Sequence, residues 1–357
     1  MRFIFLGASI IMNWPSLSII IPSFNQGAYI ERTILSILKQ NYEGELEIIV
    51  SDGGSKDKTV EILKKYPQII WWSKPDRGYV DAVTKAIAVA KGEILAIQSS
   101  DDFYLRDAFK ISIKELIDNP DVAIITGCDV QLMPDMNSYY TSELISSEVT
   151  PYSILTKRMI GQHCTFFRRI ILDKIGGLRE EVDVCADIDL WYRALHFFKG
   201  KFIPFYTAVY QNHPNQRTKI LDTWYSGLVK MVESCESDPF YGSQLRFSER
   251  ERKNIYARFE VGLGKQPEQE QLLVKMTQIL ESEDYTQETK EFVHSTLAHR
   301  GYLSRHLEKE KIADKLIQIL TDGNLVNRAK IKLYQAMGIP QNYVFKGPQI
   351  DINWWKK

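Results

Sequence analysis

The strongest constraint on the fold lies in residues 17–126, where short apolar runs alternate with segments of helical spacing. Leu17–Ile21 is a run of strand residues closed by Pro22, and Ile30, Ile34, Ile37 and Leu38 recur at the helical period. Further strands are expected over 45–50, 69–73, 93–98 and 122–126, with helices over 59–65, 82–90 and 107–118 between them. Asp57 is placed to cap the helix over 59–65. This alternation predicts an α/β fold with a mostly parallel sheet, covered by helices on both faces.

In such sheets ligands bind beyond the carboxyl ends of the strands. Four successive strand ends read Pro22-Ser-Phe-Asn25, Asp52-Gly-Gly54, Pro75-Asp-Arg-Gly78 and Ser99-Ser-Asp-Asp102. All are small, polar or glycine-containing, and three carry an acid, which favours a site over ordinary loop polarity. The 45 basic and 45 acidic side chains cancel, which argues against broad electrostatic binding of nucleic acid. Cys128, Cys164, Cys185 and Cys235 are widely spaced and form no CxxC pair. No zinc framework is therefore expected, and the thiols read as reduced and buried, in a cytosolic compartment. No apolar run reaches the roughly 18 residues that a membrane span needs.

Ser51-Asp-Gly-Gly-Ser55 carries neither the GxGxxG of a dinucleotide fold nor a P-loop, so hydride and P-loop phosphoryl chemistry lose support. Asp52 can accept a hydrogen bond from a base or a ribose, or close an Asx turn on its own loop. Asp101 and Asp102 follow a buried strand, where adjacent side chains point to opposite sides. One can face a ligand while the other caps the next segment. A carboxylate together with diphosphate oxygens suits Mg2+ or Mn2+. Further on, Cys185-Ala-Asp-Ile-Asp-Leu-Trp191 follows the Gly176-Gly177 turn and opens a helix that reaches about residue 198. Asp187 is the better candidate there for a general base, and Asp189 for dipole compensation and capping. His213, in Asn212-His-Pro214, is either a metal or phosphate ligand or a surface loop residue.

Several longer segments now fall into order: Ile19-Ile-Ile-Pro-Ser-Phe-Asn-Gln26, Glu47-Ile-Ile-Val-Ser-Asp-Gly-Gly-Ser-Lys-Asp57, Lys74-Pro-Asp-Arg-Gly-Tyr-Val-Asp81 and Gly92-Glu-Ile-Leu-Ala-Ile-Gln-Ser-Ser-Asp-Asp102. Gly161-Gln-His-Cys-Thr-Phe-Phe-Arg168, Gly176-Gly-Leu178 and Asp187-Ile-Asp-Leu-Trp191 complete the set. Over residues 15–218 the chain resembles the family 2 glycosyltransferases. The resemblance implies a GT-A fold and inverting transfer from a nucleotide-diphosphate sugar, with UDP a common choice. It implies that Pro22, Ser23, Phe24, Asn25, Asp52, Arg77, Asp81, Ser99, Ser100 and Asp101 bind the nucleotide sugar. Asp101 would hold a divalent Mn2+ or Mg2+ with the diphosphate, and His213 would lie near that metal. Asp187 would be the base, and Asp102, Gln162, His163 and Trp191 would lie toward the acceptor. The acceptor implied is a glycan, lipid-linked or protein hydroxyl in surface-polysaccharide or glycoconjugate synthesis.

Three departures from the family pattern matter. Ser99 occupies the first acidic position of the DxD-type motif, and Thr84 and Ala86 stand where Asn and Gly are frequent. There is no QxxRW-type signature, so single addition fits better than processive synthesis. Ser99 keeps open the alternative of a catalytically weak nucleotide-sugar-binding or scaffold protein of the same fold. A nucleotidyltransferase would need a basic Gly-rich loop near the N-terminus, and none is seen.

Residues 1–14 are expected to be an extension, since Phe3–Met12 is short for a signal peptide and lacks a clear cleavage site. The GT-A domain is expected over 15–220, and a helical C-terminal region over 221–357. Apolar spacing at Leu272, Leu273, Met276, Ile279 and Leu280, and at Leu316, Ile317, Ile319 and Leu320, predicts amphipathic helices there. Trp354-Trp355 is expected to pack. The helical region admits homo-oligomerisation and a peripheral contact with the inner face of the membrane, in an otherwise cytoplasmic protein.

Overall fold

The computed structural model describes residues 13–132, 139–142, 147–156, 160–214, 216, 221–238, 242, 245–263, 269–299 and 350–356. It begins β1 (Leu17–Ser23), α1 (Ile30–Leu38), β2 (Leu46–Asp52), α2 (Thr59–Leu63), β3 (Ile70–Ser73), α3 (Tyr79–Val89) and β4 (Ile94–Ile97). Next come β5 (Phe103–Tyr104), α4 (Ala108–Asp118), β6 (Val122–Leu132), β7 (Tyr139–Thr141), β8 (Ser147–Val149) and α5 (Pro151–Thr156). Then follow β9 (Thr165–Arg168), α6 (Ile170–Ile175), α7 (Ala186–Leu195) and β10 (Lys199–Gln211). The helices α8 (Leu221–Ser237), α9 (Glu249–Leu263), α10 (Gln269–Glu281) and α11 (Gln287–His299) come last.

The sheet order is β3-β2-β1-β4-β9-β6-β10-β5, with β7 beside β6 and β8 beside β10. The first four strands in that order are parallel, as the alternation predicts. Beyond β4 the sheet is mixed. β9 runs antiparallel between β4 and β6, and β5 runs antiparallel to β10. The expectation of a mostly parallel sheet therefore needs correction for this half. A parallel neighbour requires a long crossover, whereas β9 is entered from a single 3-10 turn at Gln162–Cys164. Because β9 is reversed, it starts at the edge where β1 and β4 end. That edge is the topological switch point, since β1 lies between β2 on one side and β4 on the other.

Alternation along the strands fills a core on each face. Ile20, Ile49, Leu95 and Ile97 pack into one layer with Val83 and Ala86 of α3 and Leu190 and Trp191 of α7. Their neighbours Ile19, Ile21, Ile48, Val50 and Ala96 pack into the other, with Ile30, Ile34 and Ile37 of α1 and Phe109 and Ile113 of α4. Residues two apart share a face of a strand, so strands buried on both sides must be apolar throughout. Leu228, Met231 and Val232 of α8 and Ile255 and Phe259 of α9 extend the first core.

The predicted stripe Leu272, Met276, Ile279 and Leu280 is buried in a separate cluster with Val261 and Val293. The stripe Leu316–Leu320 lies outside the described residues, as do residues 1–12 and the side chain of Leu273. Trp354 packs against Phe103, Leu105, Val130, Leu132 and Val209. All four cysteines are buried free thiols. Among the described residues no helix is long and apolar enough to cross a membrane.

Candidate active site

The loops after β1 and β2 are laced together by side chains. The Asn25 N–H donates to Ser55 Oγ (2.7 Å), and Asn25 Oδ1 accepts from the Lys56 N–H (2.9 Å). Asp57 accepts from the N–H groups of Gly27 (2.8 Å) and Thr59 (3.0 Å), so it ties the first loop to the start of α2, though the N-cap position itself is Lys58 and not Asp57 as expected. Asn25 takes a left-handed φ of 53° and Gly54 one of 85°, which lets the two loops turn toward each other. Pro22 is half-buried, Ser23 is buried, and Asn25 is exposed. Phe24 is 59% exposed, a large apolar ring left open beside these two loops.

Asp52 is fully buried. Its Oδ2 accepts from the Gly54 N–H (3.2 Å), the Ser55 N–H (2.9 Å) and the Ser73 hydroxyl (2.6 Å), and its Oδ1 accepts from the Ser55 hydroxyl (2.5 Å). The role expected for it as a ligand contact is corrected here: both oxygens are engaged by the loops they brace. Asp52→Ala leaves those donors without their acceptor. It should cost about 2–3 kcal/mol, read by urea unfolding.

Arg77 lies at the rim, 72% exposed. Its guanidinium reaches Asp81 (3.2 Å) and Glu180 (2.6 Å), and Asp81 also holds Lys85 (2.7 Å). Hydrogen bonds from Lys85 and the Arg77 backbone hold the Asp81 carboxyl at about 2. Asp81 is thus a brace for Arg77. Gly78, at φ 113°, starts α3 directly behind it.

The adjacent acids lie in a turn between β4 and β5, closed by the Asp102 N–H donating to the Ser99 carbonyl (3.2 Å), so the turn parts them and not the extended segment that was expected. Asp101 turns outward, and its Oδ2 lies 2.8 Å from His213 Nε2. Asp102 turns inward, 2% exposed, and its Oδ1 accepts from the Gln211 N–H at 2.9 Å. Burial and then the charge of Asp101 push the Asp102 carboxyl well above its ordinary value. The acceptor-side expectation for Asp102 is therefore corrected, because it is enclosed beneath the loop. Ser100 is buried, and its carbonyl accepts from Thr33 Oγ1 at 2.9 Å. The His213 ring stacks on Tyr29 (4.6 Å between centroids) and is 5% exposed. A cavity of about 360 Å3 lined by Tyr29, Arg32, Gln211 and His213 adjoins the pair.

The third group forms where β9 and α7 begin. Gln162 is half-buried, bonded to the Tyr79 hydroxyl, and its Nε2 lies 3.4 Å from Ser99 Oγ. His163 is 8% exposed, with Nε2 3.7 Å from Asp129 Oδ2. At that distance the contact is one of charge and not a hydrogen bond. Burial alone would lower the His163 imidazole, but Asp129, Asp102 and Asp187 together hold it above its ordinary value. Asp187 is half-buried in the first turn of α7. Desolvation pushes its carboxyl up to about 6, against the opposing N–H groups of Ile188 and Asp187 and the charge of His163. Asp189 is fully buried between Arg179 and Arg193.

Trp191 also departs from expectation. It is 1% exposed and packs edge-on against Phe167 at 5.1 Å, so it belongs to the core and not to the acceptor side. One turn beyond Asp187, it lies under the sheet layer where α7 is fully enclosed. Sequence reading missed Asp129, Tyr29 and Arg32. For Asp129 the signal was a lone carboxylate in a strand that runs on past Thr126 to Leu132.

Among the described residues no group of three or more His, Cys, Asp or Glu side chains could hold a metal ion. Asp101 and His213 nevertheless converge, and the buried His213 Nδ1 has no partner among the described residues. A carboxylate and an imidazole suit Mn2+ when substrate oxygens and water complete the shell. The donor set therefore fits a metal shared with a diphosphate.

Residues 18–176 match the family model described as Glycosyl transferase family 2. An uncharacterized glycosyltransferase of Rickettsia typhi is 32% identical over 247 residues, which is 65% of this chain and 77% of that one. The chain belongs to the family 2 glycosyltransferases. The chondroitin synthase of Pasteurella multocida is 28% identical over 197 residues, 53% of this chain, so the match spans about a fifth of that synthase. Two solved structures share the fold. S. aureus TarS 1-349 in complex with UDP-GlcNAc has a TM-score of 0.53 at 16% identity, covering 85% of this chain and 90% of that one. The mannosyltransferase PcManGT from Pyrobaculum calidifontis, in complex with GDP-Man and Mn2+, has a TM-score of 0.55 at 16% identity, covering 87% and 88%. The architecture is therefore GT-A.

Proposed function

We propose that this chain transfers a sugar from a nucleotide-diphosphate sugar, with UDP as the nucleotide, to an acceptor hydroxyl, inverting the anomeric carbon. The observation that carries the reading is Asp187: a half-buried carboxylate, raised to about 6, in the first turn of α7. His163 feels both Asp187 and Asp102, which supports a base facing the loop that carries Asp101.

The nucleotide lies against the open Phe24 ring and the Asn25 loop, with Arg77 at the rim. Asp101 and His213 would hold the metal with the diphosphate, and a bound metal would supply charge stabilisation for the departing group. Asp187 takes the acceptor hydroxyl proton as that oxygen bonds to the sugar C1. The bond from C1 to the diphosphate breaks in the same displacement, and the nucleoside diphosphate leaves with the bonding electron pair. Holding the acceptor behind C1 supplies proximity, with Gln162 on that side of the site.

The synthase names among the relatives support polysaccharide or glycoconjugate assembly as the setting. The test is thermal stability against a nucleotide panel, each with and without Mn2+, since binding to the native state raises the midpoint. The expected result is an upward shift with UDP that grows with Mn2+ and is absent with ADP. A shift with GDP in place of UDP would correct the base. No shift with any nucleotide would sink the transferase reading in favour of a scaffold.

A further inference from the structure

We propose that Trp354 is a positioning residue that holds the two arms of the metal–diphosphate site, the Asp101 loop and the His213 segment, in register. The proposal rests on the functional reading above. Ser99 leaves Asp101 as the acid of its loop that faces the site, so its placement depends on how its backbone is held.

The carbonyls along this loop are gripped from elsewhere in the chain. Thr33 Oγ1 donates to the Ser100 carbonyl (2.9 Å) and the Asp102 carbonyl (2.6 Å), and Arg32 Nη2 donates to the Asp101 carbonyl (3.2 Å). Gln40 Nε2 donates to the Leu105 carbonyl (2.8 Å). All of these come from α1 or just beyond it. The remaining grip is Trp354 Nε1, which donates to the Tyr104 carbonyl at 3.0 Å across 250 residues of sequence.

What Trp354 covers explains its consequence. β5 is a two-residue strand at the sheet edge, paired to β10 through Phe103–Val209 and Tyr104–Ala208, with the Leu105 N–H also donating to the Thr207 carbonyl (2.8 Å). So short an edge strand needs outside support. β5 begins just after Asp101, and β10 ends just before His213. The Trp354 indole is 5% exposed and packs on both strands, through Phe103 and Val209. Arg106 lies over its ring at 5.8 Å. Beside it, Ile352, Trp355 and Lys356 wall a cavity of about 200 Å3 against Arg32 and Phe103. The terminal segment thus clamps the pairing that keeps Asp101 2.8 Å from His213.

The experiment titrates Mn2+ into the full chain at saturating UDP, with a parallel arm at saturating GDP, and reads free Mn2+ by electron paramagnetic resonance. Trp354→Ala should weaken Mn2+ binding about tenfold or more, as loss of outer support to a metal ligand does. Trp354→Phe keeps the packing but loses the N–H, and should weaken it about threefold. Neither change should alter nucleotide affinity without metal. Val293→Ala, in the core of the remote helices, should lower thermal stability yet leave Mn2+ affinity unchanged. Unchanged Mn2+ affinity in the Trp354 variants overturns the proposal. If Trp354→Ala does not fold, Trp354→Phe decides alone. A wild-type chain that takes up no Mn2+ with either nucleotide refutes the functional reading, an outcome distinct from the first.

Discussion

Asp187→Asn is expected to lower the transfer rate by about 10²- to 10⁴-fold, the usual contribution of a positioned general base, with nucleotide binding nearly intact. The wild-type rate should climb about tenfold per pH unit below about 6 and level off above it, because the base acts only when ionised. A break near the ordinary aspartate value of 3.8 would rule out the buried environment as the cause. The same shift predicts a stability effect of opposite sign. Burial raises the native-state value, so the folded chain holds this proton more tightly than the unfolded chain does. The stabilisation is complete below 3.8 and is lost as pH rises through about 6. Above that, the ionised Asp187 opposes folding by about 1–3 kcal/mol. Asp187→Asn should therefore be more stable than wild type at pH 8 and gain nothing at pH 3.5. An inactive variant that is also less stable at pH 8 would mean that Asp187 serves the fold.

Asp189→Ala should do the reverse, at a cost of about 3–5 kcal/mol of stability. Asp189 is fully buried and accepts from Arg179 Nε (3.0 Å) and Arg193 Nε (2.8 Å). Arg193 spends its other donors on the carbonyls of Ile175 (2.8 Å) and Gly177 (2.7 Å), which fastens α7 to the turn after α6. Removing the carboxylate leaves the buried Arg193 guanidinium without its counter-charge, while Arg179 keeps Asp238 at 3.7 Å. Urea unfolding measures this directly. A loss under 1 kcal/mol would mean that the arginines find other partners or water.

The two aspartates stand two residues apart, and dipole arguments at a helix start apply to both alike. The sequence reading took Asp187 as the base and Asp189 as a cap, but Asp189 anchors ion pairs with Arg179 and Arg193 and is no mere cap. Asp52 was a similar case. A carboxylate at a strand end reads equally as ligand contact or as loop brace, and Ser73, 21 residues away, settles it as a brace. Trp191 was misplaced because a helix that is buried almost all round carries no polar face to mark its site side.

The sequence by itself determined the strand–helix alternation and the short polar or glycine-containing loops at the strand ends. Both are local, and the first follows from periodicities of 2 and 3.6 residues. Only the tertiary structure decided the reversal of β9, the cluster of His163 with Asp129, Asp102 and Asp187, and the reach of Trp354 to Tyr104. Each depends on partners between about 25 and 250 residues away. Their meeting is fixed by packing over the whole chain, on which no local pattern reports.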